Sequence, residues 1–166
     1  MDDARDALCT ESGFSEAVLG HERLMYSVSF ALLNDRELCS DVVQSAILKA
    51  WKRIGTLRDP EKFRSWLIRI LINECRSMKR RPTPLPLDED IPAESEDSEM
   101  KLDVRRAVMK LDEKQRVPVV LYYFEDMPVE RIAAVLGVPK GTVLSRLSRA
   151  RDTLRKELRE LEDRRI

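Results

Sequence analysis

The 166 residues set 30 Lys and Arg against 30 Asp and Glu, with 43% hydrophobic, 36% charged and 5% aromatic residues and only 5 Gly and 8 Pro. That size allows one domain or two small ones, and a charged share well above the usual quarter favours small helical units with large solvated surfaces over one compact enzyme core. No stretch approaches the roughly 18 to 20 apolar residues of a membrane span, and the acidic start Met1-Asp2-Asp3-Ala4-Arg5-Asp6 is unlike a signal peptide, so no membrane insertion and a cytoplasmic location are expected.

In chain order, Phe14, Val18, Met25, Val28 and Leu32 recur at helical spacing, which predicts one amphipathic helix ending at Asn34-Asp35. A second follows from Glu37 to Arg53, with Leu38, Val42, Ala46, Ile47 and Ala50 on one side and Asp41, Gln44, Ser45 and Lys49 away from it. Gly55 to Arg58 breaks the pattern. Asp59-Pro60-Glu61 then supplies an N-cap, a proline at the first helical position and an acid at the positive end of the dipole, so a third helix starts there. Its apolar stripe, Phe63, Trp66, Leu67, Ile70 and Leu71, points to a core, while Arg64, Arg69, Arg76, Lys79 and Arg80 project elsewhere. Phe63 and Trp66 are read as core anchors in preference to base-stacking platforms, because they sit on that stripe.

Charge is segregated. Residues 58–81 hold eight basic against three acidic residues, residues 82–99 hold seven acidic residues and four prolines with nothing basic, and residues 140–166 hold nine basic against five acidic. The prolines forbid helix at the start of the middle segment, and its acids repel one another, so 82–99 is read as a flexible acidic linker. The expected fold is all-α: two small helical domains, 1–81 and 100–166, on either side of it.

In the second domain, Val104, Ala107, Val108 and Leu111 form a short helix, and Lys114 to Phe124 forms another. The segment Val129 to Arg151 reads as helix-turn-helix. Ala133 lets two helices approach, Gly137 permits a left-handed turn, and Val143 and Leu147 lock the second helix on the first. That leaves Lys140, Thr142, Ser145, Arg146, Ser148 and Arg149 facing a major groove, with the helix N-terminus aimed at phosphate. The three cysteines, Cys9, Cys39 and Cys75, are odd in number and far apart, and His21 has no ligand-like neighbours, so no disulfide framework, metal or cofactor is expected. Nor is there a paired carboxylate, Cys/His set or phosphate loop in a context that would make the protein an enzyme.

Three blocks, Asp41 to Trp51, Phe63 to Asn73 and Gly137 to Arg151 with its Gly-Thr-Val-x-Ser-Arg-Leu-x-Arg-Ala-Arg core, resemble in order and spacing the extracytoplasmic-function sigma factors, the two-domain group of the sigma-70 family. The resemblance covers nearly the whole chain. It implies that Asp41, Gln44, Ser45 and Leu48 dock on the beta-prime clamp helices of core RNA polymerase. It implies that the loop from Ile54 to Lys62 captures a base flipped from the non-template strand of the minus-10 element, with Lys49, Leu57, Ile70 and Asn73 lining its place. Arg58, Arg69, Arg76, Lys79 and Arg80 would hold the backbone of that DNA, while the linker threads toward the polymerase cleft. The second domain would lean on the beta flap and read minus-35 promoter DNA through Lys140, Thr142, Leu144, Ser145, Arg146, Ser148 and Arg149. A cognate anti-sigma factor is an implied partner.

The chain departs from the common family pattern at Leu144 and Ser148, where basic and aromatic or His residues are frequent, so Arg149 alone can make a bidentate guanine contact. It also departs at Cys39-Ser40 and Glu74-Cys75. Cys39, beside the implied docking face, raises a question of thiol sensitivity. The alternative to a sigma factor is a one-component regulator whose N-terminal helices bind a ligand or dimerise, against which the Arg-rich third helix counts.

Overall fold

The computed structural model describes residues 2–81 and 99–164; the linker assigned to 82–99 lies outside the described residues except for its last position. Helices alone build the described residues, and the chain divides into two compact units, 1–86 and 87–166.

The first unit holds α1 (Asp2–Leu8), α2 (Glu11–Leu19), α3 (Glu22–Leu33), α4 (Arg36–Arg53) and α5 (Phe63–Lys79), with 3₁₀ turns at Ile54–Thr56 and Pro60–Lys62 between the last two. Local chemistry sets the boundaries. Thr10 caps α2 by accepting from the Gly13 amide at 3.1 Å, and Asp35 caps α4 by accepting from Leu38 at 2.9 Å. Asn34 closes α3 in the left-handed region at φ 50°. Asp59 caps the turn that leads into α5, as expected, by accepting from Glu61 at 3.1 Å.

Two features of this unit differ from the sequence reading. The single helix expected over Phe14 to Leu32 is two, broken at Gly20-His21, where glycine is a poor helix former. The His21 ring then donates from Nδ1 to the Ala17 carbonyl at 2.7 Å, satisfying an acceptor that the break leaves over. The second difference is α1, which has no apolar stripe to announce it. It closes against α2 so tightly that a Cβ on Gly13 would lie 2.0 Å from the Ala7 carbonyl oxygen, so only glycine fits there.

The core of this unit is the packing of α3, α4 and α5: Met25, Val28, Ala46, Ala50, Leu67, Ile68, Leu71 and Cys75 are entirely enclosed. Alanine at 46 and 50 keeps α4 thin enough for α5 to lie close. Phe14, Trp51, Phe63 and Trp66 make a tilted and edge-on aromatic cluster with successive centroids 5.0 to 6.1 Å apart, of which Phe63 is buried and Trp66 half-buried.

The second unit holds α6 (Glu99–Lys110), α7 (Glu113–Val119), α8 (Val129–Leu136) and the long α9 (Lys140–Asp163), against which the other three pack. Ala107, Val108, Leu121, Ile132, Val135, Val143, Leu147 and Ala150 form its core. The helix expected from Lys114 to Phe124 is α7 followed by a π turn, Val120–Phe124, closed by the Glu125 amide bonding to the Val120 carbonyl at 3.2 Å. The wider turn shifts the facing of the residues after it, and Tyr122, Tyr123 and Phe124 stand 38 to 47% exposed. Gly137 ends α8 at φ 68°, the left-handed conformation that the turn requires.

Candidate functional site

On α4, Asp41 and Gln44 are exposed, Ser45 is half-buried and Leu48 is 62% exposed. Spacings of three and four place them on one stripe of the helix. Tyr26 and Trp51, which the sequence reading did not single out, flank it. The Tyr26 hydroxyl lies 3.2 Å from Ser40 Oγ, and Trp51, 39% exposed, rests on Phe14 at 5.0 Å between centroids. The stripe therefore carries an accessible leucine and an aromatic edge beside its polar groups, a composition suited to a protein partner. Cys39, in contrast, is 2% exposed and turned into the core, so it offers no thiol on this face.

On α5, Arg69, Asn73, Arg76 and Arg80 are exposed and recur at helical spacing, forming one face, with exposed Lys79 at its side. Arg58 is exposed on the preceding loop. Leu57 and Ile70 are placed differently from these: at 6% and 8% exposure they pack inward, supporting the loop and helix from beneath. The loop is also held from outside. The α1 helix packs against the Pro60–Lys62 turn, and Arg5 Nη2 donates to the Gly55 carbonyl at 3.2 Å.

Lys49 connects the two surfaces. Its ammonium meets Glu74 Oε1 at 2.5 Å, while Ser45 Oγ donates to Oε2 of the same carboxylate at 2.8 Å. Burial raises the Glu74 pKa, but the hydrogen bonds from Lys49 and Ser45, with the charges of Lys49 and Arg81, outweigh it and hold the carboxyl below its ordinary value. Sequence reading missed Glu74 as a site residue; the available signal was that it is the one acid between Phe63 and Arg81. Beside it, burial first and then the neighbouring Cys39 push the Cys75 thiol up to about 12.

In the second unit Val143 and Leu147 turn inward, as the helix-turn-helix reading expects. The outer side of α9 presents Lys140, Leu144, Ser148 and Arg149 exposed, Leu144 by 48%, with Thr142, Ser145 and Arg146 half-buried. Ser145 Oγ donates to the Thr142 carbonyl at 3.0 Å, and Lys140 pairs with Glu130 of α8 across the turn. Arg151, a further residue not singled out from sequence, reaches the Tyr123 hydroxyl at 3.4 Å. Among the described residues no three His, Cys, Asp or Glu side chains converge as a metal site, and no helix is long and apolar enough to cross a membrane.

Comparison with known proteins assigns both units. Residues 17–83 match the family described as Sigma-70 region 2, and residues 101–154 match Sigma-70, region 4. The ECF RNA polymerase sigma factor SigM of Mycobacterium tuberculosis is 32% identical over 147 residues, spanning 85% of this chain and 74% of SigM. The RNA polymerase sigma factor SigV of Bacillus subtilis is 28% identical over 146 residues, spanning 85% and 88%. Among solved structures, the sigma factor RpoE in complex with the anti-sigma factor NepR from Bartonella quintana superposes with a TM-score of 0.77 at 25% identity, covering 88% of this chain and 96% of RpoE. The match of the N-terminal unit to region 2 removes the ground for a ligand-binding domain there and with it the one-component regulator.

Proposed function

Since this chain belongs to the ECF RNA polymerase sigma factors of the sigma-70 family, we propose that its first unit docks on core RNA polymerase and captures minus-10 DNA while its second reads the minus-35 element. The protein directs promoter-specific transcription initiation and contributes placement rather than catalytic chemistry. The observation that carries the division of labour is the first unit's pair of adjoining surfaces: the α4 stripe of Asp41, Gln44, Ser45 and Leu48, and the basic α5 face centred on Asn73.

The α4 stripe suits the beta-prime clamp helices, because its polar groups fix orientation around the accessible Leu48. The α5 face suits a single strand: Arg58, Arg69, Arg76, Lys79 and Arg80 neutralise phosphates, and the Asn73 amide offers both donor and acceptor to an unpaired base. Unstacking that base costs a few kcal/mol, which contact with the loop and Asn73 offsets. Leu57 and Ile70 contribute by stiffening the platform from below. In the second unit Arg149 reads a guanine, Leu144 meets a thymine methyl, and Lys140, Thr142, Ser145, Arg146 and Ser148 position the helix, while the opposite side of the unit leans on the beta flap. The setting is cytoplasmic, and a cognate anti-sigma factor covers the α4 stripe when the protein is idle.

Run-off transcription with core RNA polymerase on a promoter library tests this. Wild type is expected to give core-dependent initiation; Asp41→Ala/Gln44→Ala loses it at the docking step, and Arg149→Ala initiates with altered upstream-element preference. Binding of duplex DNA with no polymerase association would overturn the proposal.

A further inference from the structure

Glu74 is the sole acid on α5, a helix with four basic residues, and its surroundings are built. One carboxylate takes Ser45 on Oε2 and Lys49 on Oε1, residues one turn apart on α4, and so ties the docking helix to α5. The enclosure is unequal: the Glu74 side chain is 14% exposed and the Lys49 side chain 48%. The anion is thus largely enclosed, while its cation is about half open to solvent. An ammonium has three donors, and one is spent on Glu74, leaving donors directed outward.

Two consequences follow for a nucleic acid at this surface. A lysine paired to an enclosed carboxylate exerts much less net pull on a phosphate than a lone one, since the pair is close to neutral seen from outside. Its departure is also resisted, because leaving would deprive a largely enclosed carboxylate of its counter-charge, with Ser45 alone donating to it. What remains to Lys49 is directional: an N–H donor held by a carboxylate that follows Asn73 in the chain, able to meet an acceptor on a base edge, such as a ring nitrogen or a carbonyl.

We propose that Glu74 is a positioning residue of the minus-10 site, holding the Lys49 ammonium as a donor to the captured base rather than to the DNA backbone. This rests on the minus-10 reading given above. Glu74 touches no DNA itself; it acts through Lys49, and Ser45 acts through Glu74.

The experiment uses holoenzyme assembled from core RNA polymerase and full-length protein, binding single-stranded minus-10 oligonucleotides that differ at the captured base, at several salt concentrations. In Glu74→Gln the amide still accepts from Ser45, but the Lys49 ammonium loses its counter-charge. Base discrimination is expected to fall about tenfold, and the log affinity against log salt slope to steepen by about 0.7, the increment for one added phosphate contact on a single strand. Lys49→Ala is expected to lose the same discrimination without the steeper slope, and adding Glu74→Gln to it should change neither quantity further. Should Glu74→Gln not fold, Glu74→Asp, which withdraws the carboxylate by one methylene, carries the same two readouts. If wild-type holoenzyme does not discriminate between the bases, the minus-10 reading and this inference both fail. If it does, and Glu74→Gln lowers the melting temperature while leaving discrimination and slope unchanged, Glu74 is a structural clamp and the inference alone is overturned. Persistence of the Glu74→Gln effect in the Lys49→Ala background would overturn it as well.

Discussion

The two units carry their polar surface in different ways. In the first, residues proposed to make contact are tied into the fold: Ser45 and Lys49 bond to Glu74, and Gly55 on the loop before α5 is bonded to Arg5 of α1. In the second, Leu144, Ser148 and Arg149 stand on the solvent side of α9, while the buried Val143, Leu147 and Ala150 fix the helix from behind. The difference teaches where recognition and stability are separable. Exposed residues on α9 are expected to be exchangeable without disturbing the scaffold, whereas changes around Lys49 are expected to alter both at once.

Predictions sort along that contrast. The largest effect is expected from Leu67→Ala, which empties a fully enclosed position on the core side of α5 and should cost about 2 to 5 kcal/mol. Denaturant unfolding measures it, and polymerase docking should fail in parallel. Arg149→Ala, the contrasting change on α9, should leave unfolding unaltered while costing about 1 to 3 kcal/mol of discrimination at one upstream base, read by competition binding. An unfolding shift as large as that of Leu67→Ala would erase the distinction between the units.

Backbone geometry gives the next effect. Gly137→Ala forces a Cβ into a left-handed turn and is expected to destabilise the second unit by about 1 to 2 kcal/mol. Gly141→Ala, where a Cβ meets nothing within 4 Å inside α9, should be neutral or stabilise by up to about 1 kcal/mol.

A smaller effect depends on pH. Because Glu74 is held below its ordinary value in the folded unit, the stabilisation it gives is complete above the unfolded carboxylate pKa of about 4.3. It declines as pH falls through the folded value, because the unfolded chain then takes up the proton first. Melting temperatures of the wild type should therefore fall more steeply than those of Glu74→Gln on acidification below about pH 5. Smallest of all is Lys140→Ala: both side chains of its pair with Glu130 are more than half exposed, so no measurable change in melting is expected, although DNA affinity should weaken at low salt.

Much of the fold is legible wherever apolar spacing and capping agree. Asp35 before α4, Asp59-Pro60 before α5, and Gly137 before α9 each announce a boundary by local chemistry, and those boundaries stand. Periodicity alone misleads at Gly20-His21, where the apolar spacing runs on through a break that a single side-chain hydrogen bond makes tolerable. At Val120–Phe124 a π turn inserts what a 3.6-residue count cannot represent, and three aromatics emerge exposed from the end of the expected helix. Exposed site residues such as Asp41, Asn73 and Arg149 are readable because their faces follow from helical spacing. Glu74 is not, since its partners lie 25 and 29 residues away and depend on how α4 and α5 come together.

The closeness of Gly13 to Ala7 has a consequence for building chimaeras from this protein. The α1 helix reaches the loop before α5 only because residue 13 lacks a side chain, so the seat for residues 2–8 is written on α2 rather than on α1 itself. Transplanting an N-terminal segment from a homologue onto a host whose equivalent of position 13 carries any Cβ displaces that segment, together with its bond to Gly55. A seam placed before Thr10 therefore separates a part from its socket, while one placed after Gly20 moves the two together.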